Sequence, residues 1–165
     1  NESIVWRGPM LMGALQQMLN QVQWGEQDIL FVDLPPGTGD VQLTLCQKTN
    51  LSGAIIVSTP QDIALLDARK GIDMFKRLDV PILGLIENMS SFVCSGCGMT
   101  HHPFSNGSVK KEAEQLNTEF LGELPLDLDT RIASDSGVPI VASQPQNTTA
   151  LAFVQLAKTI IKQHL

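Results

Sequence analysis

Two kinds of apolar pattern alternate along the chain. Short runs without polar alternation occur at residues 29–32 (ILFV), 53–58 (GAIIVS), 82–86 and 120–124. Strands buried on both faces, as in a parallel sheet covered by helices, have this pattern. Between them, apolar residues recur at helical spacing. Leu11, Leu15, Met18, Leu19 and Val22 predict a helix that opens at Gly8-Pro9 and ends near Trp24-Gly25, with this stripe on the core. Residues 40–48 predict a second helix, N-capped by Asp40, with Cys46 as a small core residue. Residues 62–78 predict a third, capped by Asp62 and buried through Ile63, Leu66, Met74, Phe75 and Leu78. Residues 109–116 predict a fourth. Residues 148–164 predict a closing helix with Leu151, Val154, Ala157, Ile160 and Ile161 inward. Strands alternating with such helices predict an α/β fold: a doubly wound, mostly parallel sheet with helices on both faces.

The predicted strands end in polar or turn-forming residues: Asp33 before PPGTGD, Thr59-Pro60, Glu87-Asn88 and Pro125-Leu126-Asp127. Ligands of open α/β sheets bind beyond the C-terminal ends of the strands. A carboxylate at Asp33 suits the water shell of a magnesium ion, and Gly37 and Gly39 let backbone N–H groups approach a phosphate. A plain strand-ending turn accounts equally for those residues. Asn88 has both a donor and an acceptor suited to a base edge; a turn or cap residue has the same character.

With 165 residues, 43% of them hydrophobic, the chain fits one domain with a sizeable core. A net charge of −6 argues against nucleic acid or an anionic membrane surface as the main partner, since both select clustered Lys and Arg. No apolar run approaches the roughly 18 residues of a membrane span, and a soluble protein is expected. The first residue is Asn1, within a continuing pattern, so a further N-terminal portion is expected.

Three cysteines do not make a secreted disulfide framework and point to a reducing compartment. Cys94 and Cys97, as Cys-Ser-Gly-Cys, lie in a stretch from 89 to 108 that reads as a long irregular loop, the kind often tied to function. Their spacing allows both thiolates to reach one metal. With His101 and His102 they would complete a zinc set. A 4Fe-4S cluster needs about four thiolates, so it would have to bridge two chains across a twofold axis.

WRGPM from Trp6, VDLPPGTGD from Val32, STPQDIALLDARKGIDMF from Ser58, ENMS from Glu87 and CSGC from Cys94, in that order, closely resemble the Mrp-type iron-sulfur cluster carriers. That family belongs to the deviant-Walker branch of P-loop ATPases, with MinD, ParA and the nitrogenase iron protein, and it includes a mitochondrial factor for complex I assembly. The resemblance spans essentially the whole chain. It implies that Asp33 is the Walker B aspartate near magnesium, that Gly37, Thr38, Gly39 and Asp40 form the loop sensing the γ-phosphate, and that Asn88 reads adenine. Leu126 and Asp127 fall on its second adenine-side loop, and Cys94 and Cys97 match the cysteines that bridge a 4Fe-4S cluster in a homodimer. Apo iron-sulfur proteins would be the acceptors. A cytoplasmic location follows, or the mitochondrial matrix.

The family's lysine- and glycine-rich phosphate cradle has no counterpart in this chain. In the family it lies upstream, so residues 1–165 are expected to be the C-terminal part of a P-loop NTPase domain lacking the P-loop strand. Such a chain is not expected to hydrolyse ATP alone. Two other functions fit parts of the pattern: a zinc-binding interaction module, and a positioning ATPase of the MinD or ParA kind.

Overall fold

The computed structural model describes residues 8–35 and 37–164. Trp6 and Arg7 of WRGPM, and Pro36 of the glycine-containing loop, lie outside them. The elements in chain order are α1 (Gly8–Gln21), α2 (Asp40–Lys48), β1 (Ala54–Ser58), α3 (Asp62–Arg77), β2 (Ile82–Val93), β3 (Thr100–His101), α4 (Ser108–Gln115), β4 (Phe120–Leu126), α5 (Leu128–Asp135), α6 (Ile140–Ser143) and α7 (Thr148–His164). None of the described helices is long and apolar enough to cross a membrane.

β2 is the central strand, parallel to β1 on one edge and to β4 on the other; β3 adds a short antiparallel pairing at its far end. The expected parallel sheet with helices on both faces is therefore present. Successive residues of β2 enter opposite layers. Leu85 joins Ile56, Leu65, Ile72, Phe75, Val109 and Ala113 in a core under α3 and α4, whereas Ile86 joins Leu121, Leu124 and Leu156 under α7. Burial on both faces explains the unbroken apolar run from 82 to 86. Gly122 lets α7 approach closely, because a Cβ there would lie 2.9 Å from the Leu156 side chain.

Several expectations fail on partners rather than on propensity. Residues 29–32 form no strand: all four are exposed, Phe31 by 71%, and no described strand offers them a ladder. A strand is stable only against a neighbour, so apolar content alone does not make one. Asp33 consequently does not stand at the end of a strand. Leu11 and Met18 of α1, and Val22 just beyond it, are also exposed; α1 packs on α2.

Elsewhere the helix is right and the face is rotated. α3 buries Leu65, Ile72, Met74 and Phe75, and leaves Ile63 74% exposed and Leu66 exposed as well. α7 buries Thr149, Ala150 and Leu156, with Ile160 partly covered, while Leu151 and Ile161 face solvent. Asp40 and Asp62 are first-turn residues, the caps being Gly39 and Gln61; their charges still complement the helix dipole. The 125–127 turn is also revised. Pro125 and Leu126 belong to β4, and Asp127 caps α5, a helix which, like α6, has too short an apolar pattern to be legible.

Candidate functional site

β1 ends at Ser58, opposite Glu87 in the middle of β2, and the next β2 residue, Asn88, pairs with Leu124 near the end of β4. Leu126, the last residue of β4, lies opposite Phe92, and Asp127 follows it, so both stand further along the sheet than Asn88. Asn88 Oδ1 accepts the Met89 N–H at 3.0 Å, which orients its amide. Asp127 accepts from the Thr130 N–H at 2.9 Å and from the Thr130 hydroxyl at 2.6 Å. Burial pushes the Asp127 carboxyl up, but the Thr130 hydroxyl and N–H, helped by the Asp129 N–H and Thr149, outweigh it and hold the carboxyl below its usual range.

The other predicted nucleotide residues stand apart from these. Asp33, Gly37, Thr38, Gly39 and Asp40 are all exposed, the first four in a loop with Gly37 at φ 98° and Asp40 at the start of α2. No hydrogen bond or ion pair among the described residues joins them to Asn88 or Asp127. Beside this loop, the buried Gln42 of α2 donates Nε2–H to the Pro35 carbonyl at 2.7 Å, and Leu34 packs against the core. Gln42 has no signature in the sequence beyond being a polar residue on a helix that packs on the core.

The cysteine stretch is more ordered than a loop. β2 continues to Val93, and β3 returns antiparallel with Phe92 opposite His101 and Val93 opposite Thr100. Cys94 to Met99 close this hairpin: the Cys94 N–H donates to the Met99 carbonyl at 2.9 Å and the Gly98 N–H to the Cys94 carbonyl at 2.8 Å. Cys97 is exposed and Cys94 partly so. The backbone N–H of Gly96, then that of Cys97 together with its thiol, hold the Cys94 thiol below its ordinary range. Burial instead pushes the Cys46 thiol up, and Cys46 packs against the core as expected.

The chemistry of this turn is that of a thiolate ligand pair. Two soft sulfur donors on one exposed tip suit iron or another thiophilic metal. The histidines do not complete the set. His101 is on β3, and the His102 Nδ1–H donates to the Ser90 carbonyl at 2.8 Å. Among the described residues, no three His, Cys, Asp or Glu side chains gather as a metal site.

The sequence pattern puts Glu87 with Asn88 at a strand's C-terminal, ligand-facing end and gives no role to Ser90; β2 instead runs on to Val93 and Glu87 is turned into the core. Glu87 is fully buried, and its two carboxylate oxygens accept the Gly107 N–H at 3.1 Å and the Val109 N–H at 2.9 Å. The Ser90 hydroxyl donates to the Leu124 carbonyl at 3.3 Å. An acid directly after an apolar strand run was the available signal for Glu87.

Residues 1–161 match the ParA-type family model described as "NUBPL iron-transfer P-loop NTPase". The chain belongs to this family. It is 50% identical over 163 residues to the "Iron-sulfur cluster transfer protein NUBPL" of Dictyostelium discoideum, covering 99% of this chain and 50% of that protein. It is 48% identical over 159 residues to the "Iron-sulfur cluster carrier protein" of Pseudomonas fragi, covering 96% of this chain and 55% of that one. Among solved structures, a nucleotide-binding protein of Archaeoglobus fulgidus in complex with ADP superposes with a TM-score of 0.69 at 40% identity, over 78% of this chain and 53% of that chain. The chain thus spans about half the length of the relatives it matches. Its fold is that of the P-loop NTPases.

Proposed function

We propose that this chain is the cysteine-bearing, C-terminal part of an ATP-dependent iron-sulfur cluster carrier, and that residues 1–165 form one α/β domain with the P-loop in the remainder of the longer protein. The observation that carries this reading is the Cys94–Cys97 turn at the exposed tip of the β2–β3 hairpin, with backbone N–H groups aimed at Cys94. The cargo is a 4Fe-4S cluster. Each chain supplies two thiolates and a homodimer supplies four, leaving the cluster at a surface from which apo-proteins take it by ligand exchange. The carrier names of the Dictyostelium and Pseudomonas relatives support this role.

Nucleotide binding follows from the same reading. Asn88 would meet the adenine, with Leu126 and Asp127 beside it. The exposed Asp33 carboxylate is chemically suited to magnesium-bound water, and residues 37–40 would face the terminal phosphate. Magnesium supplies charge neutralisation of the phosphates. The chain's own contribution is to orient these groups, and hydrolysis by this chain alone is not expected. The cytoplasm is the proposed compartment, with the mitochondrial matrix as the alternative.

Anaerobic reconstitution with iron and sulfide tests the carrier role. A brown chromophore with about two irons per chain, eluting as a dimer and lost in Cys94→Ser, is the expected result. Retention of the chromophore in Cys94→Ser would refute it. One tightly held zinc per chain, lost in His101→Ala, would favour the zinc module instead. Fractionation of cells with an antibody to the intact protein distinguishes the two compartments.

A further inference from the structure

Glu87 is an acidic side chain with no exposure, on β2 and seven residues before Cys94, which follows the end of that strand. Burying a carboxylate is costly unless each oxygen finds a donor, and here the donors are the Gly107 and Val109 N–H groups. These groups stand at the start of α4, whose own N-cap, Gly107, offers no side chain and whose first turn has no acid. Lys110 and Lys111 lie near that positive end, so Glu87 supplies from a distant strand the negative charge the helix lacks.

The path of the chain gives this cap a second consequence. β2 bulges beyond Asn88 before pairing with β4 again at Phe92: between Asn88 and Phe92, four residues along β2 answer two along β4, and Met89 sits at φ 57°. Such a bulge re-aims a strand. The outbound limb carries Cys94, and the returning limb runs from β3 through Ser105 at φ 86° to Gly107 at φ 71°. The return has regular pairing only at residues 100 and 101. It is then fastened twice to the same short piece of β2, by His102 on the Ser90 carbonyl and by Gly107 and Val109 on Glu87.

We propose that Glu87 is a positioning residue for the cysteine hairpin: by holding the Gly107 and Val109 amides it fixes the inbound limb against the outbound one, and so sets the pose and the hold of the Cys94–Cys97 turn. The proposal deepens the carrier reading and rests on it for the identity of the cargo. Its mechanical half stands on the metal-free chain.

The test uses the whole chain. In Glu87→Gln one carboxylate oxygen becomes an NH2 group that faces a backbone donor, so one charge-assisted bond is lost. Amide hydrogen exchange of the metal-free protein is then expected to accelerate at Cys94 and Gly98 by about tenfold, the equivalent of one such bond. After reconstitution, iron release to excess ferrous chelator should quicken by a similar factor. Glu112→Gln, which weakens a buried acid elsewhere on α4, serves as the control. It should lower the melting temperature without speeding exchange at Cys94 and Gly98. Gly107→Ala strains the same anchor from the amide side and covers the case in which Glu87→Gln does not fold; it should give the same hairpin-selective pattern. Unchanged exchange at Cys94 and Gly98 in the folded variants would overturn the proposal, as would equal acceleration in the Glu112→Gln control. Absence of any reconstituted cluster would instead count against the carrier reading, with the exchange data still deciding the role of Glu87.

Discussion

The stretches 29–32 and 82–86 have almost the same apolar character, yet the first is exposed in an extended segment and the second is the centre of the sheet. Phe31 is 71% exposed; Leu85 is not exposed at all. β2 has β1 and β4 on its two edges and helices on its two faces, while residues 29–32 have no strand beside them among the described residues. Hydrophobic sequence supplies the drive to be buried, and neighbours decide whether it is met.

That contrast can be broken most strongly at Leu85. Leu85→Ala is expected to cost about 2–5 kcal/mol in urea unfolding, because both the buried methyl groups and the packing around them are lost. A cost under about 1 kcal/mol would mean that β2 is not the organising strand. Next in size is the link between α3 and α4. Arg69 donates Nε–H and Nη2–H to the two oxygens of the buried Glu112, at 2.7 and 2.5 Å. Arg69→Ala leaves that carboxylate unpaired, and a loss of about 1–3 kcal/mol is expected by the same measurement, moderated by the half-exposed guanidinium.

The same pair has a pH signature. The Arg69 hydrogen bonds hold the Glu112 carboxyl below its usual range, against the opposing effect of burial. A depressed folded pKa means that this stabilisation is fully present above the unfolded value, about pH 4.3, and is lost as pH falls through the folded pKa. Acid titration of unfolding free energy in wild type and Glu112→Gln should therefore converge towards low pH. A gap that persists or widens there would exclude the mechanism.

Smaller effects sharpen the comparison. Asp127→Ala removes the cap of α5 and should cost about 1 kcal/mol, with Asp127→Asn recovering most of it. Phe31→Ser should change the stability of this chain by less than about 0.5 kcal/mol, as for a surface site. A loss comparable to that of Leu85→Ala would show that residues 29–32 are buried after all.

The alternation of apolar runs with helical stripes made the sheet of β1, β2 and β4 legible, because the run of β2 is covered on both faces and those of β1 and β4 pair with it, although Val57 of β1 remains exposed. The faces of α3 and α7 were harder to read. Their sequences offer more apolar residues than the core accepts, and Ile63 or Leu151 competes on composition with Leu65 or Leu156. The hairpin was hidden because Ser, Gly, Met and His in residues 94–102 have weak strand preference, and the returning limb is fastened by contacts to Ser90 and Glu87 that no local pattern encodes. Of the candidate site, the cysteine pair stands out by residue type and spacing, whereas Asn88 by itself has the character of a turn or cap residue and takes its proposed role from the family resemblance. The exposure of Asp33 could not, since it depends on a neighbour of residues 29–32 and not on those residues themselves.

The six residues from Cys94 to Met99 are closed by two hydrogen bonds made only among themselves. Such a turn is a cassette: its interior can be exchanged, lengthened or re-ligated while β2 and β3 continue to pair beneath it. Metal preference is therefore open to engineering on this scaffold without redesign of the sheet.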